Sequence, residues 1–280
     1  MSPSPMRFTA PKEEETLEYI AMPEGMSTFE VNSKIYEWDE NTDLSSCKAL
    51  LDKVIAQVET YNVQDKGLIF PVEGLNGDNL AYLNQLLGEG EVSAIVAHNH
   101  KNVNIQESIF TGIWRVNIFD ERNNLIEDYI EVSQFPEVIK TVNAELLSEI
   151  NFNNKFIPEG VINAPSIIVE LQDKLGQFTK NPDIVPEPVN LTLLPHSPED
   201  ITFINKVLGT GNTVILSRGY GNCRITSTLV AGVWLIQYFN STDKEILSTI
   251  DIVSAPVVAC AGQEDLEDTA MRLKEFAESI

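Results

Sequence analysis

Positive charge is scarce in this sequence: 19 Lys and Arg stand against 42 Asp and Glu, a formal net charge of −23 with a pI near 4.4. Such a field repels nucleic acid and anionic lipid, so neither is an expected partner, and a basic polypeptide suits it better. Cysteine is equally sparse. Cys47, Cys223 and Cys260 make no disulfide framework of the kind secreted domains use. No apolar run approaches the roughly 20 residues that cross a bilayer, and the opening "MSPSPMRFTAPKEEETLEYIAMPEGM" lacks the apolar core of a signal peptide. The expectation is a cytoplasmic protein without membrane insertion.

What is present is ample for folding, since 43% of the 280 residues are apolar. The chain also resembles itself. "LAYLNQLLGEGEVSAIV" from Leu80 matches "ITFINKVLGTGNTVIL" from Ile201, placing Gly88 on Gly209 and Gly90 on Gly211. After a one-residue slip, "TGIWRVNIF" falls on "AGVWLIQYF", Trp114 on Trp234, and Pro136 then falls on Pro256. Shared glycines, tryptophan and proline in one order predict a duplicated unit.

Each unit opens with a helical pattern ending at Gly-x-Gly, where a left-handed cap is expected. Strand-like alternation follows, at Val92 to His98, Asn104 to Phe110, Ile113 to Phe119 and Leu125 to Val132 in the first copy. Short polar connections predict an antiparallel meander. A helix closes each unit after the proline. The predicted fold is therefore α+β: residues 1–77 an acidic segment with one helix from Ser45 to Thr60, 78–150 the first repeat, 151–199 a connector whose "APSIIVELQDKLGQF" is helical, and 200–280 the second repeat.

Several stretches carry candidate chemistry. The Gly-x-Gly pairs follow a helix rather than a strand, the reverse of a dinucleotide loop, so helix capping is the expectation. His98 and His100 offer two metal ligands where zinc takes three or four, and an exposed strand end explains them as well. "LSRGYGNCRITST" holds more. Gly219 and Gly221 permit unusual backbone geometry, while Arg218 and Arg224 could grip a carboxylate or peptide carbonyls. Tyr220 and Asn222 sit between them. A plain hairpin whose arginines meet surplus acids accounts equally for the stretch.

Cys260 precedes the last helix, where aligned N–H groups would lower a thiol pKa, and Cys223 lies in the same unit. Two thiols leave a redox, metal or iron-sulfur reading open, though two ligands do not complete a site, and buried structural cysteines are the simpler account. In the first unit Gln106 and Glu107 are either a second contact patch or the polar side of a strand. Trp114 and Trp234 read as core residues on the sheet.

The segments "MPEGMSTFE", "LLGEGEVSAIV", "IQESIFTGIWRV", "NLTLLPHSPEDI", "LSRGYGNCRITST", "VWLIQYFNS" and "VVACAGQEDLEDTAMRL" together resemble the HupH/HyaF/HoxQ accessory proteins for maturation of nickel-iron uptake hydrogenases. The resemblance covers nearly the whole chain after about residue 20. It implies a non-catalytic cytoplasmic factor without a resident cofactor. Its client would be the hydrogenase small-subunit precursor with its twin-arginine signal peptide, before export and around iron-sulfur cluster assembly, alongside a thioredoxin-like accessory protein. The Gly-Cys-Arg loop, present only in the second unit, would then be the contact loop. A thiol-based redox or cluster carrier using Cys223 and Cys260 is the alternative.

Overall fold

The computed structural model describes residues 42–152, 156–219 and 221–278. The first 41 residues of the acidic segment and Tyr220 of the predicted contact loop lie outside the described residues. Helix α1 (Ser45–Val58), strand β1 (Leu68–Pro71) and helix α2 (Gly77–Leu87) lead into β2 (Val92–His98), β3 (Lys101–Glu107), β4 (Ile113–Phe119) and β5 (Leu125–Val132), and then α3 (Glu137–Ala144). Helix α4 (Ala164–Lys180), strand β6 (Val189–Asn190) and helix α5 (Pro198–Leu208) precede β7 (Thr213–Ser217), β8 (Asn222–Ser227), β9 (Val233–Phe239) and β10 (Glu245–Ile252). A 3-10 turn (Val257–Ala259) and α6 (Gln263–Glu278) complete the order.

The predicted α+β class with antiparallel meanders is what forms, as one ten-stranded sheet in the order β1-β5-β4-β3-β2-β7-β8-β9-β10-β6. The meanders join through β2 and β7, which pair antiparallel from Val92↔Ser217 to Val96↔Thr213 about Ala94↔Ile215. Matching backbone bonds extend the join at both ends: Arg218 N–H to Glu91 O at 3.1 Å and Ala97 N–H to Asn212 O at 2.9 Å. Strand β3 begins three residues earlier than its apolar pattern predicts. Asn99 and His100 both take positive φ, +48° and +62°, and turn the chain in two residues.

The helix ends correct a detail. Gly88 (φ +55°, ψ −160°) and Gly209 (φ +66°, ψ 177°) are not left-handed caps but occupy the extended positive-φ region that glycine alone tolerates. Gly90 and Gly211 serve differently: a Cβ at either would collide with the backbone at Ser108 or Thr228. Gly90 N–H donates to Glu107 O and Gly211 N–H to Ser227 O, both at 2.7 Å. The pair thus ends a helix and seats the next strand.

Alternation buries one sheet face beneath α3 and the 3-10 turn, where Trp114 and Trp234 are 1% and 0% exposed. Their indole N–H groups donate to Ser133 O at 2.9 Å and Val253 O at 3.1 Å. On the other face α1, α2 and α6 cover Ile130 and Val132 at one end, while α4 and α5 cover Ile250 and Ile252 at the other.

The closing segments depart from expectation. The first is α3, but the second is the 3-10 turn followed by α6, and each reaches the opposite half. Leu266 joins the core of α1 and α2, and Thr269 Oγ1 donates to Thr111 O at 2.9 Å. Reciprocally, Leu147 exchanges backbone bonds with Leu229 and Ala231 at 3.0 and 2.8 Å, Asn143 Oδ1 accepts from Gly232 N–H at 2.8 Å, and Ile150 enters the α4–α5 core.

Candidate partner-binding face

Residues directly opposite in an antiparallel ladder share a face. The register therefore lays one row across six strands: Arg115, Gln106, Ser93, Leu216, Arg224 and Gln237. A second row beside it holds Asn117, Asn104, Ile95, Val214, Thr226 and Leu235. Helices on this side pack against the outer strands β1, β5 and β10. Every member of the first row is half-buried rather than covered. Arg218, two residues beyond Leu216, continues the same side and is also half-buried.

This face gathers three of the five described arginines, Arg115, Arg218 and Arg224, in a chain otherwise dominated by carboxylates. Arg115 is neutralised by Asp128 at 2.6 Å, and burial lowers its pKa while the carboxylate raises it. The Arg224 guanidinium lies 5.5 Å from the Phe239 ring centroid, a cation–π placement. Arg218 forms no ion pair among the described residues. Amides, hydroxyls and guanidinium groups on a shallow floor can hold peptide carbonyls or carboxylates by multiple hydrogen bonds.

The β7–β8 hairpin explains one of its two glycines. Gly219 and Gly221 bridge each other with one residue between them, where the first hairpin has two. Gly221 takes φ +98°, and a Cβ at Gly219 would push aside the exposed Glu91 carboxylate. Asn222 is exposed at the base of this tip. The loop, with Arg218 and Arg224 at its two sides, thus stands at the margin of the open face.

Three expectations are corrected by placement. Glu107 is only 5% exposed, so it offers no contact patch; its carboxylate accepts from Gly112 N–H at 3.3 Å, and burial pushes it up to about 7 against the backbone bonds that lower it. Gln106 lies in the open row, but its Nε2 is spent within 3.0–3.3 Å of the Gly90, Val92 and Glu107 carbonyls. Cys260 lies three residues before α6, and its thiol donates to Pro256 O at 3.2 Å. Burial, only weakly opposed by Lys140, pushes it up to about 12 instead of down.

Cys223 points into the core at 4% exposure and is also pushed up to about 12, by burial and then by Asp251. The histidines go separate ways, His98 Nε2 to Glu145 at 3.0 Å and His100 to Glu121. Among the described residues no three His, Cys, Asp or Glu side chains are grouped to hold a metal ion. Sequence reasoning missed the row's remaining members, Arg115, Ser93, Leu216 and Gln237. Only the pairing of β2 with β7 brings them into line, and no local pattern announces that pairing.

Comparison with known proteins gives one consistent result. The family model described as HupH hydrogenase expression protein, C-terminal conserved region, matches residues 45–152 and 161–280. Hydrogenase expression/formation protein HoxQ of Cupriavidus necator is 40% identical over 263 residues, 94% of this chain and 91% of that protein. Hydrogenase expression/formation protein HupH of Rhodobacter capsulatus is 37% identical, covering 96% and 94% of the two chains. Hydrogenase-1 operon protein HyaF of Escherichia coli is 33% identical, covering 73% and 70%.

Proposed function

Because the chain belongs to the HupH family of hydrogenase expression proteins, we propose that it is a non-catalytic maturation factor that holds the hydrogenase small-subunit precursor against its open sheet face. The observation that carries this reading is the six-strand row with Arg224 one strand in from its Gln237 end and Arg218 beside it, on the side where the described helices pack against the outer strands. Arginine forks suit the carbonyls and carboxylates of a polypeptide client, and the anionic remainder of the surface suits the basic end of a twin-arginine precursor. On this reading it works in the cytoplasm, before export and around iron-sulfur cluster assembly, with a thioredoxin-like accessory protein as co-partner.

The two halves are read as copies of one unit beginning at α1 and α4. Paired hydrogen bonds support it: Ser108 N–H to Ile113 O answers Thr228 N–H to Val233 O, and Ile109 N–H to Leu87 O answers Leu229 N–H to Leu208 O. On this reading the β7–β8 tip is what the second copy added.

Anaerobic pull-down with the intact and the signal-deleted small subunit tests the reading. Arg218→Ala with Arg224→Ala should reduce retention about ten-fold or more while leaving the melting temperature within a few degrees, since two charge-assisted bonds are worth about 1.5–3 kcal/mol each. Unchanged retention would remove the face from the mechanism.

A further inference from the structure

The hairpin between β2 and β3 turns on Asn99 and His100, both at positive φ without glycine, and a groove of about 760 Å³ lies against it. The turn lines this groove through His98, His100 and Lys101, and the end of α3 lines it through Val142, Glu145 and Leu146. The two linings meet at one nitrogen. His98 Nε2 lies 3.0 Å from Glu145 Oε2, at the helix end, and 2.5 Å from Asn99 Nδ2, within its own turn.

Both contacts cannot be made at once. A carboxylate only accepts, so toward Glu145 the nitrogen must carry a hydrogen; an amide NH2 only donates, so toward Asn99 the same nitrogen must present its lone pair. Imidazolium has a hydrogen on each nitrogen and is confined to Glu145, where the last carbonyls of α3 also favour a cation. Neutral imidazole with its hydrogen on Nδ1 is free to take Asn99. The next histidine answers to protons in the same sense: His100 Nδ1 meets Glu121 in the β4–β5 turn, an ion pair only when the imidazole is charged, though both side chains are largely exposed and hold weakly. Among the described residues the remaining charged group lining the groove is Lys101, which lies opposite His98 in the ladder and pairs with Glu127 at 3.6 Å.

We propose that His98 is a proton-operated latch on this groove: a charged imidazole ties the hairpin tip to the end of α3, and a neutral one passes to Asn99 and lets the tip part from the helix. Imidazole exchanges its proton between about pH 5 and 8, so the groove is fastened on the acid side and released on the alkaline side. The same helix end runs on into Leu147, whose backbone bonds to Leu229 and Ala231 of the second half. The latch therefore acts on the segment that joins the two halves. It is separate from the arginine-bearing face and stands whether or not that face binds the precursor.

Long-range proton–nitrogen correlation spectra of the full chain test this, with His98→Gln identifying the signal. On the alkaline side His98 Nε2 should show the shift of an unprotonated ring nitrogen, and Asn99→Gly, which keeps the positive-φ turn, should return the hydrogen to it. Deuterium exchange in the hairpin tip, corrected for the intrinsic effect of pH, should be about two- to five-fold faster in the released state. His98→Gln and Glu145→Gln should each erase that pH dependence at an unchanged melting temperature, while Glu121→Gln should keep most of it. A hydrogen that stays on Nε2 on the alkaline side, tip exchange that is independent of pH in the wild type, or a pH dependence that survives either substitution would overturn the latch. So would its loss in Glu121→Gln, which would move the switch to His100.

Discussion

Replacing Asp200 with Asn isolates the contribution of a single buried charge. Burial by itself would raise this carboxyl, but four backbone N–H groups outweigh it and hold the group down at about 2, from an ordinary 3.8. That difference corresponds to about 2 kcal/mol of folding free energy at neutral pH. Asparagine keeps the shape but turns one acceptor into a donor, so the bond from Ser197 N–H at 2.9 Å or those to Oδ1 must break. Because the native pKa is the depressed one, the contribution is complete above about pH 4 and disappears as pH falls toward 2. Melting followed by tryptophan fluorescence, with Trp114 and Trp234 as buried reporters, should show Asp200→Asn lower by roughly 4–8 °C at pH 7. The gap should narrow between pH 4 and 2.5. Equal melting temperatures at pH 7, or a gap constant down to pH 2.5, would refute this account of Asp200.

Glu107 works with the opposite sign. Its native pKa is raised to about 7, so its contribution is complete below about pH 4.5 and is lost as pH rises through 7. Unfolding free energies of Glu107→Gln and wild type from urea titration, compared at pH 4.5 and pH 8, should shift by about 3 kcal/mol in the variant's favour at the higher pH; a pH-independent difference rejects this. With Cys223 and Cys260 both pushed up to about 12, iodoacetamide at pH 7.5 should label neither appreciably within minutes until urea is added. Mass spectrometry showing fast native labelling of either would restore the thiol-carrier reading.

The elements that the sequence announces are those whose burial follows a fixed period over at least five residues. Strand β4 alternates around Trp114, Val116 and Ile118, and α5 carries a capping box at Ser197 and Asp200 that marks its start. Strands β1 and β6, four and two residues long, fall below any periodic window and exist because β5 and β10 offer them an edge. The displaced start of β3 has a local cause: Asn99-His100 is a two-residue turn without the expected glycine. Arg218 and Arg224 could be picked out by composition. The row they complete could not, because Ser93 and Leu216 meet only when strands 123 residues apart pair. Glu107 escaped because its neighbours Gly112 and α6 come from a loop and a distant helix.

The exchange of closing segments has a consequence for synthesis. Thr111 waits for Thr269, 158 residues later, so at about 5–20 residues per second the apolar pocket of the first half stays open for roughly ten to thirty seconds on the ribosome. During that interval Phe110 and Ile113 lack the wedge that seals them. A nascent chain stalled before residue 263 would leave that apolar surface uncovered by α6.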